Sequence, residues 1–279
     1  MHNRSFKAKA VAVAVAGVAA VAAYSAQGVP LPVTNIQFNV LTNPFNPLNS
    51  QKDFFTSVQP VGWSIGPAAI IANLTYVGKQ GSEGFAGGSG NVYAVYTNPG
   101  FSVTVPAGTN FYQADGNPEF QSTIFQTITG LTVGTTYDLE FQQAAGQQVG
   151  FSGATTEQWR VFFGDGGIGV SCPVGPGNCT ATGTAGDVEM DSPLMNTPSQ
   201  QNFDWNVVHM QFTATAPSEI LTFLAWGNGG SNVNLPPTLF LEGVNTAVVP
   251  EPASLALFGA AVFGFGASRL RRGKRSPEA

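Results

Sequence analysis

Residues 135–143 read TTYDLEFQQ, and this stretch decides the fold class. Tyr137, Leu139 and Phe141 alternate with charged and polar residues. A period of two residues is typical of a β-strand that buries one of its faces. Between residues 29 and 249 the sequence shows no convincing long helical period. The sequence therefore predicts an all-β fold.

The preceding stretch, FQTITGLTVG at 125–134, alternates in the same way. Gly130 and Gly134 bracket a short turn between the two alternating stretches. Two such strands separated by a short, glycine-containing loop are typical of a β-hairpin. We therefore predict that the strands before and after this turn pair with each other.

Further alternating stretches follow along the chain. EQWRVFFGD at 157–165 and WNVVHMQFTATA at 205–216 each gather apolar residues on one face. SEILTFLAWG at 218–227 is apolar on both faces, which predicts a central strand. TLFLEGVNT at 238–246 closes the domain, and NVYAVYTN with FSVTVPAG, within 91–108, is predicted to form another strand pair. Many strands with closely spaced turn signals predict an antiparallel β-sandwich or jelly roll.

The order of these features resembles a galactose-binding-like β-sandwich. The resemblance rests on a stretch ending near Trp63, the glycine-bracketed turn followed by Tyr137, and a final strand after Pro237. It implies one sandwich domain over residues 29–247.

The middle of the chain is strongly acidic. Residues 29–249 hold 14 of the 16 acidic residues and three of the 11 basic ones, Lys52, Lys79 and Arg160, which gives a net charge of −11. Such a surface repels phosphate backbones, so we expect no nucleic-acid partner.

The first residues have the layout of a secretory signal peptide, which we place at 1–26. A basic segment, 1–9, is followed by an alanine- and valine-rich run at 10–23 and then by small residues. Cleavage is expected between Ala22 and Gln27. The alternative is an uncleaved membrane anchor, but the apolar run is shorter than the roughly 20 residues that span a bilayer.

The C-terminal segment, 248–279, has three parts in a fixed order. Pro250, Glu251 and Pro252 come first, and an uncharged run predicted to be a transmembrane helix follows at 253–268. A helix of this length reaches about 24 Å, against roughly 30 Å for a bilayer core. The run ends in a basic cluster that should stay cytoplasmic. The cluster consists of Arg269, Arg271, Arg272, Lys274 and Arg275.

This three-part segment closely resembles the PEP-CTERM sorting signal of Gram-negative bacteria that make exopolysaccharide. The resemblance implies export by the general secretory route and transient anchoring in the inner membrane. An exosortase partner would then remove the tail, and the protein would be released or attached at the cell surface. The alternative is a plain C-terminal anchor.

The two cysteines, Cys172 and Cys179, lie in CPVGPGNC, within a glycine- and proline-rich excursion at 164–204. An exported chain meets an oxidising compartment, so we predict a disulfide that pins this excursion. A zinc site is the alternative, but two cysteines and the distant His209 make a poor set of ligands.

Reactive groups for catalysis are sparse, and we expect no enzymatic activity. His209 has no accompanying Gly-x-Ser-x-Gly elbow and is predicted to be a solvated strand residue. The alternative is a secreted carbohydrate-active hydrolase with paired carboxylates. Its candidate residues are Asp138, Glu140, Glu157 and Asp165.

We predict no metal and no cofactor, with a structural calcium ion at two oxygen-rich stretches as the alternative. Calcium takes six to eight oxygen ligands from flexible loops. Neither stretch has the spacing of an EF-hand, so Asx-turns and a polar loop are the alternative. The candidate ligands are Asp115, Glu119, Asp187, Glu189 and Asp191.

Four tryptophans can supply faces for stacking on sugar rings. Trp159 and Trp226 lie in predicted strands and are expected in the core, whereas Trp63 and Trp205 are candidates for a carbohydrate-binding rim. The sequence thus favours a non-catalytic surface or matrix protein of a biofilm that binds exopolysaccharide. A structural adhesin or spacer without a small ligand is a further alternative.

Overall fold

The structure is a computed structural model. It describes residues 28–46, 52–65, 74–85, 93–102, 109–117, 120, 123–164, 187–231 and 235–244, and the backbone of strands at 168–171 and 180–183. The predicted signal peptide, both cysteines and their disulfide, and the C-terminal segment 248–279 lie outside these residues. Within the described ranges, no helix has the length and apolarity needed to cross a membrane.

In the described part of the chain, seven strands form a first sheet. They are β1 (Val29–Pro30), β2 (Lys52–Phe54), β4 (Thr75–Lys79), β5 (Asn110–Asp115), β7 (Thr136–Gln147), β13 (Asn202–Thr213) and β15 (Pro237–Glu242). Their order is β1-β7-β15-β5-β4-β2, and β13 also pairs with β7. The pairing of β1 with β7 is parallel, and the other pairings are antiparallel.

Among the described residues, six strands form a second sheet whose pairings are all antiparallel. They are β3 (Ser64–Ile65), β6 (Thr123–Thr129), β8 (Thr155–Gly164), β11 (Val188–Asp191), β12 (Met195–Thr197) and β14 (Ser218–Gly227). Their order is β11-β8-β14-β6-β3, and β12 also pairs with β8. A separate hairpin joins β9 (Ile168–Ser171) to β10 (Thr180–Gly183), and a one-turn helix α1 (Phe55–Val58) follows β2.

The core lies between the two sheets, as the alternation of β7 predicts. Tyr137, Leu139 and Phe141 are buried there, whereas Asp138 and Glu140 face outward. Burying an apolar side chain of this size contributes about 1.5–3 kcal/mol. The second sheet contributes Trp159, Val161, Phe163, Leu221 and Phe223. The predicted antiparallel β-sandwich is therefore confirmed.

The stretch that is apolar on both faces is the central strand of the second sheet. Residues 218–227 form β14, which pairs with β6 on one side and β8 on the other. The prediction of a central strand is confirmed.

The predicted hairpin between β6 and β7 is wrong, because the two strands belong to different sheets. Their connection crosses the end of the sandwich beside the connection between β13 and β14. Gly134 N–H donates to Ala214 O, and Leu131 N–H donates to Pro217 O. The alternation fixes which face of a strand is buried, but it does not fix which strand is its neighbour.

The predicted strand pair within 91–108 is also not formed where the structure describes it. Residues 93–102 contain one isolated bridge, between Val95 and Gln148, and no regular strand. Tyr93 has a φ of 76°, which an extended strand does not allow. Residues 80–85 and 93–102, which we call the strap, instead lie over the outer face of the first sheet.

The strap is seated by close packing on the sheet. A Cβ atom on Gly146 of β7 would lie 2.3 Å from Val95 Cγ1, so this glycine lets Val95 approach the backbone. Tyr93 and Val95 are both 2% exposed and pack with Phe111 and Phe240. The sheet is therefore covered on both faces in this half, by the core and by the strap.

The excursion at 164–204 contains more regular structure than a loop. β11 and β12 both lie in it and both pair with β8, which extends the second sheet. Ser192 between them donates to Gln143 Oε1 of the first sheet at 2.6 Å. Its strands were too short to stand out in the sequence.

Candidate functional site

The structure contradicts the predicted carbohydrate-binding role of Trp63. Its side chain is fully buried, with ring centroids 5.2 Å from Phe38 and 6.3 Å from Phe223. Its indole N–H donates to Asn35 O at 3.3 Å. Gly62, with a φ of 85°, turns the chain so that the ring enters the core. No face of this ring is open to a sugar.

Trp205 is also enclosed, so its predicted rim position is wrong. The residue is 7% exposed and packs between the strap and the sheet. Its ring centroid lies 6.3 Å from Phe101 and 6.1 Å from Phe240. Trp205 lies within a register shift in β13 between Phe203 and Asn206, a local irregularity that alternation does not reveal.

Both of the other tryptophans were predicted to lie in the core, but only Trp159 does. Trp159 is fully buried in the core, as predicted, and donates its indole N–H to Phe240 O at 3.1 Å. Trp226, predicted to be a core residue, instead lies on the outer face of the second sheet and is partly exposed. Because β14 is apolar on both faces, its sequence does not predict which face points to the core and which to solvent.

The partly exposed tryptophan belongs to a polar surface that we call the Trp226 patch. Its members are Gln158, Arg160, Glu189, Asp191 and Trp226. The register places Trp226 opposite Gln158, and Arg160 opposite Asp191. All five side chains therefore project from the same face of β8, β11 and β14.

Arg160 organises this patch. Its guanidinium carbon lies 4.6 Å from the centroid of the Trp226 ring, within the range of a cation–π contact. The guanidinium also forms an ion pair with Glu189, and its Nε lies 3.5 Å from Asp191 Oδ1. The side chain of Arg160 is 18% exposed, so the patch is held in place and still open to solvent.

A second polar group lies beneath the strap, which we call the Lys52 cluster. Its members are Lys52, Glu83, Gln113, Asp115 and Glu242, and all five are buried. Lys52 Nζ donates to Gln113 Oε1 at 2.9 Å, to Glu83 O at 3.1 Å and to Tyr93 O at 3.3 Å. The lysine thus joins β2, β5 and the strap.

Burial shifts the ionisation of this cluster toward neutral forms. It lowers the pKa of Lys52 to about 7, against the opposing effect of the Glu83 charge. It raises the pKa of Asp115 to about 7, although hydrogen bonding with Tyr93 and the Asn117 N–H acts the other way. Burial likewise raises the pKa of Glu242 to about 7 and raises the pKa of Glu83.

Several polar atoms of this region are buried without a hydrogen-bond partner. They are Tyr76 Oη, Gln113 Nε2 and Glu242 Oε2. Each such group costs about 1–3 kcal/mol of stability. The region of the Lys52 cluster therefore lowers the free energy of unfolding. Polar groups buried in this way are common at functional sites.

The calcium candidates do not converge. Asp115 is buried and accepts the Asn117 N–H at 2.7 Å. Glu189 and Asp191 lie against Arg160, on the other sheet, and Glu119 falls outside the described residues. The part of the chain that the structure describes, which includes Asp187, contains no group of three or more His, Cys, Asp or Glu suited to a metal ion. The absence of a cofactor stays a prediction, with structural calcium as its alternative.

The candidate catalytic groups lie apart as well. His209 has a side chain that is 71% exposed, and its Nδ1 lies 3.4 Å from Glu140 Oε2 on the outer face of the first sheet. Asp138 accepts a hydrogen bond from Gln211 on that same face. Glu157, by contrast, points into the core from the second sheet. Asp165 lies outside the described residues.

Of these carboxylates, Glu157 is the one whose pKa is most changed by its surroundings. It is fully buried, and its Oε2 accepts a hydrogen bond from Thr197 Oγ1 at 2.7 Å. Burial raises its pKa to about 8, although hydrogen bonds from Thr155 and Thr197 oppose the shift. The carboxyl group is therefore mostly protonated at neutral pH.

The C-terminal segment matches a known sorting motif. Residues 248–272 match the model of the PEP-CTERM protein-sorting motif. The predicted recognition of this segment is confirmed, and it marks the chain for processing at the membrane and for the cell surface or exterior. No curated protein matches the chain significantly.

Solved structures show weak likenesses to the chain. The enzymatically active domain of tailspike protein 4 of bacteriophage CBA120 has a TM-score of 0.36 at 13% identity, covering 66% of this chain and 19% of its own. TmCBM61 in complex with β-1,4-galactotriose has a TM-score of 0.32 at 14% identity, covering 74% and 96%. The family 11 carbohydrate-binding module from Clostridium thermocellum has a TM-score of 0.26 at 10% identity, covering 74% and 92%.

This chain thus spans about a fifth of the tailspike chain that it matches. TM-scores this low support no conclusion about what this chain binds.

Proposed function

We propose that the chain is exported by the general secretory route and processed by an exosortase at the inner membrane. The match of residues 248–272 to the sorting motif supports this destination. The basic cluster at 269–275 would hold the tail on the cytoplasmic side until it is removed. The mature sandwich is then a component of the cell surface or the extracellular matrix.

We further propose that the sandwich binds polysaccharide without acting on it, and that the Trp226 patch is the binding surface. The observation that carries this proposal is the Arg160 guanidinium held 4.6 Å over the partly exposed Trp226 ring. Aromatic rings bury the C–H faces of sugars, and neighbouring planar polar groups can bond to their hydroxyls. Arg160 also fixes the ring in advance, which lowers the entropy lost on binding.

The non-catalytic part of the proposal is supported by where the carboxylates lie. A glycosidase needs two carboxyl groups about 5–10 Å apart across an open cleft. Glu157 is enclosed in the core, whereas Asp138 and Glu140 face outward from the opposite sheet.

Replacing Trp226 with alanine is expected to weaken polysaccharide binding at least about tenfold, the equivalent of roughly 1.4 kcal/mol. The substitution removes the aromatic face, and it also removes the ring against which the Arg160 guanidinium packs. Binding is measured by affinity electrophoresis in exopolysaccharide from the producing bacterium and in a panel of purified neutral and acidic polysaccharides.

His209→Ala is the matched control, because His209 is exposed on the other sheet and has no contact with the patch. This control should bind like the wild-type protein. Equal binding by Trp226→Ala would place the site elsewhere, and retention by no polysaccharide would leave the adhesin or spacer role.

A further inference from the structure

The strand β13 forms one edge of the first sheet. It pairs with β7 on one side, and among the described strands none pairs with its other side. Its register is continuous from Asn206 to Thr213, a length of about 26 Å. Other strands at the sheet edges are much shorter, since β2 has three residues and β11 has four. The first sheet therefore has one long, straight edge.

Hydrogen bonds around β7 show which backbone groups of β13 point away from the sheet. Leu31 N–H donates to Asp138 O, so this carbonyl faces β1 and points away from β13. Gln211 is opposite Asp138, and opposite residues of an antiparallel pair both point toward each other or both away. Ala214 N–H, which donates to Thr135 O, fits the same alternation. The residues whose N–H and C=O groups point off the edge are therefore Val207, His209, Gln211 and Thr213.

These outward backbone groups have no hydrogen-bond partner in the described part of the chain. The residues that carry them are exposed, Val207 by 46% and the His209 side chain by 71%. Such an edge is a template for pairing with another chain, and proteins usually protect it with lysine, proline or a bulge. Residues 206–213 contain no lysine and no proline, and their register has no bulge. The edge is thus open to another strand.

We propose that this strand is a second copy of the chain, and that two β13 strands pair antiparallel about a two-fold axis at Met210. In this register Val207 faces Thr213 of the second copy, and His209 faces Gln211 of the second copy. Each of these pairs exchanges two N–H···O bonds, so about eight hydrogen bonds satisfy every outward group of both strands. The edge is self-complementary, which favours a second copy over an unrelated strand.

Moving the axis by one residue in either direction leaves hydrogen bonds unmade. A shift toward the N-terminus brings in Trp205, whose N–H already donates to Asp204 Oδ1, and sets the two copies of His209 against each other. A shift toward the C-terminus brings in Thr215, whose N–H already donates to Glu219 Oε1. The axis at Met210 is therefore the register that uses the free groups and no others.

The charge distribution lets two copies meet at this edge. Residues 29–249 have a net charge of −11, but residues 206–213 contain no aspartate, glutamate, lysine or arginine. The acidic surfaces away from the edge repel each other, and salt screens this repulsion. Pairing should therefore strengthen as the ionic strength rises.

The dimer has a defined geometry. Residues opposite each other in a sheet point to the same face, so the core faces of both copies lie on the same side of the joined first sheet. The two second sheets, each with a Trp226 patch on its outer face, then lie on that side as well. Pairing does not require the Trp226 patch to bind a ligand, so the dimer stands or falls independently of the proposed polysaccharide binding.

Sedimentation equilibrium of the mature protein, over a range of protein and salt concentrations, tests the proposal. We expect a mass twice that of one chain, with tighter association at higher salt. The mass of a single chain at every concentration up to about 1 mM would overturn the proposal.

Gln211→Pro tests whether the backbone of β13 holds the dimer. Proline removes an N–H that points off the edge and is not bonded to β7, so the fold should tolerate it. We expect association to weaken at least about tenfold. Gln211→Ala is the matched control, because it removes the same side chain and keeps the N–H, and it should dimerise like the wild-type protein. A folded Gln211→Pro protein that dimerises as tightly as wild type would show that another surface holds the dimer.

Cysteine cross-linking tests the register without a proline. In the double variant His209→Cys/Gln211→Cys, the two substituted positions face each other across the axis with Cα atoms about 5.5 Å apart, which a disulfide can bridge. Mild oxidation should give covalent dimers of this variant and few of either single variant. Cys172 and Cys179 are present in all three proteins, so the single variants control for them. Equal cross-linking of single and double variants would contradict the Met210 axis.

Discussion

Glu157→Gln is expected to raise the free energy of unfolding at pH 8 by roughly 2–4 kcal/mol and to leave it nearly unchanged at pH 4.5. The reason is that the buried carboxyl group must either keep its proton or ionise inside the core. Its pKa is about 8 in the folded protein, against 4.5 in an ordinary environment. A glutamine has the same shape and is neutral at every pH.

The sign of the pH dependence follows from which state holds the proton. Between pH 4.5 and 8 the unfolded chain has lost the Glu157 proton and the folded protein retains it. Stability therefore falls as pH rises through this window, by up to about 1.4 kcal/mol per pH unit for this group. Asp115 and Glu242, each with a pKa raised to about 7, add to the same trend.

Urea denaturation of the wild-type and Glu157→Gln proteins at pH 4.5 and pH 8 measures the effect. Glu140→Gln serves as a control, since Glu140 lies on the outer face beside the exposed His209. An equal stability of Glu157→Gln and wild type at pH 8 would show that Glu157 is ionised in the core at no cost.

Trp63→Ala should lower the free energy of unfolding by about 3–5 kcal/mol, because it leaves a large cavity in the core. Trp63 packs against Phe38 and Phe223, and its indole N–H is bonded to Asn35 O. The variant loses both the packing and the hydrogen bond. Trp63→Phe, which keeps an aromatic ring, should lose less.

The comparison that matters is with Trp226→Ala, measured by the same denaturation experiment. Trp226 is partly exposed, so its removal should cost about 1 kcal/mol or less. The two tryptophans should thus separate cleanly, one affecting stability and the other polysaccharide binding. A stable Trp63→Ala protein that no longer binds polysaccharide would restore Trp63 as a binding residue.

Alternation predicted the strands well because it depends on neighbours in sequence. It placed Tyr137, Leu139 and Phe141 in the core. It could also have identified Glu157, which shares the face of Trp159 and Val161 in EQWRVFFGD. A carboxylate on the apolar face of a strand is the signal of a buried acid.

The candidate sites were harder to predict because they depend on contacts between distant segments. Lys52 lies in the three-residue strand β2, too short for a periodic signal, and its burial depends on the strap. The Trp226 patch forms because β11 brings Glu189 and Asp191 to Arg160 of β8. The contact of Lys52 with the strap and the pairing of β11 with β8 cannot be predicted from the sequence of a single strand.

The enclosure of Lys52 also gives the folded domain a simple coupling chemistry. Residues 29–249 contain two lysines, and Lys79 is the exposed one. Amine-reactive dyes or resins should therefore attach within this range through Lys79 alone, at one end of β4 in the first sheet. A protein coupled through Lys79 is held to the support by this end of β4.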